Sequence, residues 1–103
     1  MMMIFVAGTL TLDPAHIVGF QRDVAAMIET VRAEAGCHHY SLLVEDADAG
    51  IVNVLEQWTD DASLLVHLKQ AWIQDFLNRY GGHLKASTVQ IFDISGVRPL
   101  PGS

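Results

Sequence analysis

A histidine in the second half of the chain, His67, has the clearest potential for chemistry. It lies on the same helical stripe as Leu64, Leu68 and Ala71, a stripe that is expected to face a sheet and not solvent. An imidazole in such a setting, with its pKa near neutrality, can accept a proton from a phenolic substrate. The alternative is a core histidine whose ring is hydrogen-bonded to a strand carbonyl or to Glu56, since buried polar groups usually have partners.

Three residues on predicted strands are candidates for contact with an aromatic substrate. Glu56 and Trp58 are two residues apart and so share one face of a strand, which places a carboxylate beside a large aromatic ring. The phenol of Tyr40 could orient a substrate oxygen by hydrogen bonding. Each also fits a structural role, Trp58 and Tyr40 in the core and Glu56 as a salt-bridging or rim residue, and the sequence leaves both interpretations open.

The aromatic residues Trp72, Phe76 and Tyr80 recur every four residues in a predicted helix. They form a continuous ridge that either roofs an apolar pocket or fills it, and Trp72 and Phe76 are the candidates for substrate contact. His38 and His39 alternate sides of their strand, and no recognised metal-ligand spacing occurs in the chain, so we expect neither a metal nor another cofactor.

Periodicity predicts the elements that must position these side chains. An apolar stripe at helical spacing predicts a first helix from Ile17 that stops at Gly36. Asp13-Pro14 precedes that helix as a start signal. The other predicted elements are a strand over 3–12, strands over 37–45 and 51–58 joined by a hairpin at 46–50, a second helical stretch from about 61 to 80, and a last strand over 84–94.

The order β-α-β-β-α-β predicts an α+β, ferredoxin-like split βαβ fold with a four-stranded antiparallel sheet. Residues 1–97 would form this domain, and residues 98–103 an extended C-terminal tail. In every strand, both alternating sets of residues are apolar, whereas two helices can cover only one face of the sheet. A second copy of the chain is therefore expected to cover the other face, as a homodimer.

Composition narrows the class of protein further. The chain has 103 residues, 50% of them hydrophobic and 17% charged, which suits one folded domain. Its net charge of −6 gives no cationic surface for nucleic acid. The longest apolar run, residues 1–7, is too short to span a membrane and lacks the flanks of a signal peptide, so we expect a cytoplasmic protein with no membrane partner.

Three ordered segments carry a family resemblance. They are Glu34-Ala-Gly36 followed by Tyr40, then Glu56-Gln-Trp58, and a helical His67 nine residues after that tryptophan. Together they resemble the antibiotic biosynthesis monooxygenase family, over roughly residues 3–94. The resemblance implies a dimeric α+β barrel and, as in characterised members, oxygenation of electron-rich phenols or quinols without metal or flavin.

The expected function is therefore that of a cofactor-independent monooxygenase acting with O₂ on a phenolic, quinol-type or polyketide aromatic substrate. His67 would accept the substrate proton, while Tyr40, Glu56, Trp58, Trp72 and Phe76 would bind the ring. Because one fold can host unrelated functions, two alternatives stay open. One is a non-catalytic dimer that binds an apolar metabolite, as in a stress response, and the other is an isomerase or decarboxylase.

Overall fold

The computed structural model describes residues 3–102, so Met1, Met2 and Ser103, at the ends of the predicted domain and tail, lie outside the described residues. Its strands and α-helices confirm the predicted α+β, ferredoxin-like order. The elements are β1 (Ile4–Leu12), α1 (Ile17–Arg32), β2 (Cys37–Asp46), β3 (Ile51–Trp58), α2 (Asp61–Lys69), α3 (Ala71–Gly81), β4 (Leu84–Ser87) and β5 (Gln90–Asp93).

The start of the first helix differs slightly from the prediction. Asp13 caps a short 3₁₀ turn, Pro14–His16, by accepting a hydrogen bond from the Ala15 amide, and α1 follows directly. The helix ends at Arg32, before Gly36. The predicted hairpin between β2 and β3 is present, and Gly50 ends it with φ +75°, a backbone conformation that favours glycine.

The sheet is antiparallel, in the order β2-β3-β1, with β4 and β5 both paired to the free edge of β1. The single last strand that we predicted is thus divided in two at residues 88–89. Thr88 holds this interruption against β1, because its Oγ1 accepts from the Thr9 amide at 2.9 Å and its own amide donates to the Thr9 carbonyl at 2.9 Å. Opposite the interruption, Gly8 has φ +148°, and a Cβ there would overlap the backbone of Thr88.

The second helical stretch is also divided, into α2 and α3. Asp60 caps α2 by accepting from the Ser63 amide at 2.8 Å. The break falls at Gln70, whose backbone is extended at φ −65° and ψ 137°. Our prediction of one continuous helix was wrong here because the apolar spacing persists through the break and neither glycine nor proline marks it.

The core lies between one face of the sheet and the helices. Trp58 and Val52 on β3 are completely buried, and Ile73 of α3 is 2% exposed. The predicted stripe of α1 faces this core, with Ile28 only half-buried. The buried residues of α1 are Ile17, Phe20, Val24, Met27 and Val31. In residues 3–102 no helix has the length and hydropathy needed to cross a bilayer.

The opposite face of the sheet carries apolar side chains that no element of the described chain covers. Leu43 is 65% exposed, Phe92 50% and Leu55 40%. Strand pairing puts them on the same face, because Phe92 pairs with Phe5, and Leu43 pairs with Asn53, which alternates with the buried residues of β3. In a single copy of the chain, the outer face of the sheet therefore exposes apolar side chains to solvent.

Candidate active site

A cavity of about 190 Å³ lies between the inner face of the sheet and helices α2 and α3. Its walls are mostly aliphatic and aromatic, and three side chains bring polar atoms to it: Tyr40, Glu56 and His67. The lining residues are Leu10, Phe20, Tyr40, Leu42, Val54, Glu56, His67, Leu68, Ile73, Phe76, Leu77 and Val89. An apolar chamber with a few convergent polar groups is typical of a small-molecule site.

His67, in α2, is 2% exposed, and its Nδ1 lies 3.1 Å from both carboxylate oxygens of Glu34. An ionised carboxylate only accepts hydrogen bonds, so Nδ1 must carry the proton. Nε2 has no hydrogen-bond partner among residues 3–102, and in the neutral form of the ring it carries the free electron pair. The histidine has neither of the partners that we considered from the sequence, because Glu34 takes the place of Glu56 or a strand carbonyl.

Glu34 reaches His67 from the loop between α1 and β2. In that loop, Gly36 has φ +83°, and a Cβ at this position would overlap the Ser63 side chain in the first turn of α2. The glycine therefore lets the loop pass close to α2, which brings Glu34 to the histidine. We call these two residues the Glu34–His67 pair. The sequence contained the signal, since Glu34 and Gly36 stand in the first family segment, but it did not reveal which side chain Glu34 contacts.

Glu56 is 9% exposed and accepts a hydrogen bond from Trp58 Nε1 at 3.0 Å through Oε1. Its other oxygen, Oε2, has no partner within the described part of the chain. Burial raises the pKa of Glu56 to about 7, the Trp58 hydrogen bond opposes this rise, and the negative charge of Glu34 adds to it. Near neutral pH this carboxyl therefore exists in both protonated and ionised forms beside the cavity.

Tyr40 is directly opposite Glu56 in the pairing of β2 with β3. It is 4% exposed, and its ring meets the His67 ring edge-on, with the centroids 5.5 Å apart. Burial, followed by the negative charges of Glu56 and Glu34, raises the pKa of the Tyr40 phenol far above its ordinary value. Tyr40 therefore stays protonated and can donate a hydrogen bond, but it cannot act as a base.

The predicted aromatic residues divide between the cavity and the layers behind it. Phe76 lines the cavity and contacts Phe20, with ring centroids 5.6 Å apart. Trp58 is fully buried behind His67, at a centroid distance of 4.8 Å, and does not line the cavity. Trp72 lies outside it as well, in a groove between α1 and α3, where its Nε1 donates to Gln70 Oε1 at 3.0 Å.

Comparison with known proteins identifies relatives of the whole fold. The family model described as antibiotic biosynthesis monooxygenase matches residues 3–79. A Pseudomonas aeruginosa protein of known structure is 28% identical, with a TM-score of 0.75 over 95% of this chain and 97% of that one. A search of curated proteins finds no match.

Two further solved structures are described as proposed antibiotic biosynthesis monooxygenases. The one from Caulobacter crescentus is 25% identical, with a TM-score of 0.71 over 93% of this chain and 91% of that chain. The one from Deinococcus radiodurans has a TM-score of 0.81 over 96% of this chain and 99% of its own, at 15% identity, a likeness that shows the fold alone.

Proposed function

Because the chain belongs to the antibiotic biosynthesis monooxygenase family, we propose that it is a cofactor-independent monooxygenase that oxidises a phenolic, quinol-type or polyketide aromatic substrate with O₂. The observation that carries the proposal is the Glu34–His67 pair at the wall of an apolar cavity. A dry cavity of roughly 150 Å³ is known to admit benzene, so the volume of about 190 Å³ found here suits a substituted aromatic ring.

The reaction begins with ionisation of the substrate. His67 Nε2 takes the phenolic proton, and the Glu34 carboxylate stabilises the imidazolium that forms. The phenolate transfers one electron to O₂, and the resulting phenoxyl radical and superoxide join in a carbon–oxygen bond. The proton held by His67 passes to the peroxide, which loses water to leave a quinone. One oxygen atom enters the product and the other leaves as water.

The remaining polar residues orient the substrate and move protons. Tyr40, which stays protonated, donates a hydrogen bond to a substrate oxygen, and the free Oε2 of Glu56 exchanges a proton with a second one. Phe76 packs against the ring. The apolar walls keep bulk water away from the radical pair, which prevents side reactions. In this scheme Trp58 and Trp72 support the site from behind, because neither of them lines the cavity.

The test is oxygen consumption with a panel of quinols and anthrones. A general base contributes about 10²–10⁴-fold to rate, so H67A should lower turnover by that order while the protein stays folded. The matched control is H83A, which removes a histidine that stacks on His16 outside the cavity. Unchanged turnover in H67A would remove the histidine from the mechanism.

The same assay separates the alternative functions. Substrate binding without O₂ uptake would indicate a non-catalytic protein that binds an apolar metabolite. Product formation under anaerobic conditions would indicate an isomerase or decarboxylase. Either result would overturn the proposed oxygen chemistry.

We also propose that two copies of the chain stack their uncovered sheet faces, which would complete a dimeric α+β barrel in the cytoplasm. The support is the exposed apolar layer on that face, which includes Leu43 and Leu55. L43D should shift the sedimentation coefficient to that of a monomer, whereas L65D, which changes a leucine that is 51% exposed on α2, should not. A wild-type chain that sediments as a folded monomer at working concentration would contradict the dimer.

A further inference from the structure

We infer that Gln70 and Trp72 are positioning residues, which hold Glu34 so that it fixes His67 in a single tautomer. The inference rests on the proposed function in one respect only, since it takes the Nε2 atom of His67 to be the base. It assigns a purpose to the break between α2 and α3, and it gives Trp72 a role other than the substrate contact predicted from the sequence.

The side-chain amide of Gln70 is engaged at both ends. Its Nε2 donates to Glu34 Oε1 at 2.8 Å and to the His67 carbonyl at 3.2 Å. Its Oε1 accepts from Trp72 Nε1 at 3.0 Å. A rotated amide would place oxygen against the Glu34 carboxylate and NH₂ against the indole N–H, so both contacts would become repulsive. The indole thereby fixes which end of the amide faces Glu34.

Gln70 in turn limits the rotation of the Glu34 carboxylate. The Glu34 side chain is 15% exposed and accepts hydrogen bonds from two groups, His67 Nδ1 and Gln70 Nε2. Without the second donor, Glu34 Oε1 would keep only its share of the hydrogen bond from His67 Nδ1, and the carboxylate could turn toward water. The hydrogen bond made by one ring nitrogen sets the tautomer of a histidine, so an unrestrained carboxylate would let His67 populate both neutral forms.

The break in the helix supplies the geometry for these contacts. Gln70 has an extended backbone at the point where α2 ends, and α3 begins at the next residue. At the end of α2 the His67 carbonyl accepts from the Gln70 backbone amide at 3.3 Å and also from the Gln70 side-chain amide at 3.2 Å. Gln70 therefore both caps α2 and restrains the Glu34 carboxylate, which His67 in the last turn of α2 contacts.

The experiment compares three variants by nuclear magnetic resonance of ¹⁵N-labelled histidine rings. Q70M preserves the side-chain volume and removes all three hydrogen bonds, while W72F keeps a smaller aromatic ring and removes only the hydrogen bond that the indole donates. The matched control is Q74M, because Gln74 lies on α3 and its Nε2 bonds the Leu68 carbonyl at 2.6 Å, not Glu34. For the wild type and Q74M, we expect the nitrogen signals of a His67 ring protonated at Nδ1 alone.

In Q70M the two His67 nitrogen signals should move toward each other, as both tautomers become populated, and W72F should show a smaller change in the same direction. Because a misplacement of ~1 Å can cost about 100-fold in rate, kcat in Q70M should fall about 10- to 100-fold with little change in KM. Unchanged His67 signals in both variants would overturn the inference. If Q70M does not fold, W72F alone decides it. A tautomer change in a protein that consumes no O₂ would uphold the inference and refute the proposed function.

Discussion

Replacement of Glu56 by glutamine tests the electrostatics of the cavity through stability, without need of a substrate. Burial raises the pKa of Glu56 from an ordinary 4.5 to about 7 in the folded protein. Between these two pH values the unfolded chain has released the proton while the folded protein still holds it. Stability contributed by this group is therefore fully present below pH 4.5 and is lost as the pH rises toward 7.

The size of the effect follows from the shift. One pKa unit corresponds to about 1.4 kcal/mol, so ionised Glu56 destabilises the fold by up to about 3 kcal/mol above neutrality. Glutamine resembles the protonated carboxyl, and its amide oxygen can still accept from Trp58 Nε1. E56Q should therefore match the wild type at pH 4 and be more stable at pH 8, by on the order of 10 °C in Tm.

Thermal unfolding followed by circular dichroism, at equal protein concentrations from pH 4 to pH 8, measures this difference. The matched control is E45Q, which replaces an exposed carboxylate of β2 that accepts from Asn53. The Tm difference between E56Q and the wild type should grow with pH and level off above neutrality, and E45Q should show no such growth. A difference for E56Q that is constant across the range would refute the reasoning, since it would mean that Glu56 titrates alike in both states.

Two further predictions concern stability. G50A should destabilise the fold by about 1–3 kcal/mol in chemical denaturation, because Gly50 has φ +75° and an added Cβ would overlap the Leu12 carbonyl. The control is G82A, at a helical φ of −70°, where no atom of residues 3–102 lies within 4 Å of the added Cβ, and it should change stability by less than about 1 kcal/mol. Equal losses in the two variants would contradict the argument. W58F should lower the free energy of unfolding by about 1–3 kcal/mol, because the smaller ring leaves a void in the core. It should also raise the pKa of Glu56 further, because it removes the hydrogen bond that opposes the rise. A pKa of Glu56 that is unchanged in W58F, measured by infrared spectroscopy of the carboxyl group, would contradict this.

The order of elements could be predicted because local signals mark each segment. The stripe of α1 repeats every three to four residues and is buried as expected, while β2 and β3 flank a hairpin that ends in glycine, and burial alternates along β3. The division of the last strand could not be predicted. It depends on contacts between Thr88 and Thr9, which are 79 residues apart in the chain, and no local pattern reveals a contact at that distance.

The candidate site could be predicted only in part. Helical spacing placed His67 on the inner side of its helix, and strand parity placed Glu56 and Trp58 on one face. The partner of His67 was missed because Glu34 reaches it from a loop, where side chains follow no period. Trp72 was assigned to the substrate because helical spacing continues through Gln70, although the break turns the indole toward Gln70 instead.

The Glu34–His67 pair and the cavity lie on the inner, helix-covered side of the sheet. If two copies associate through their outer sheet faces, the two cavities lie on opposite sides of the paired sheets, each beneath the helices of its own copy. We then expect association to contribute to the stability of the protein and the two sites to react independently of each other. A mixed assembly with one H67A copy should therefore keep half of the wild-type rate.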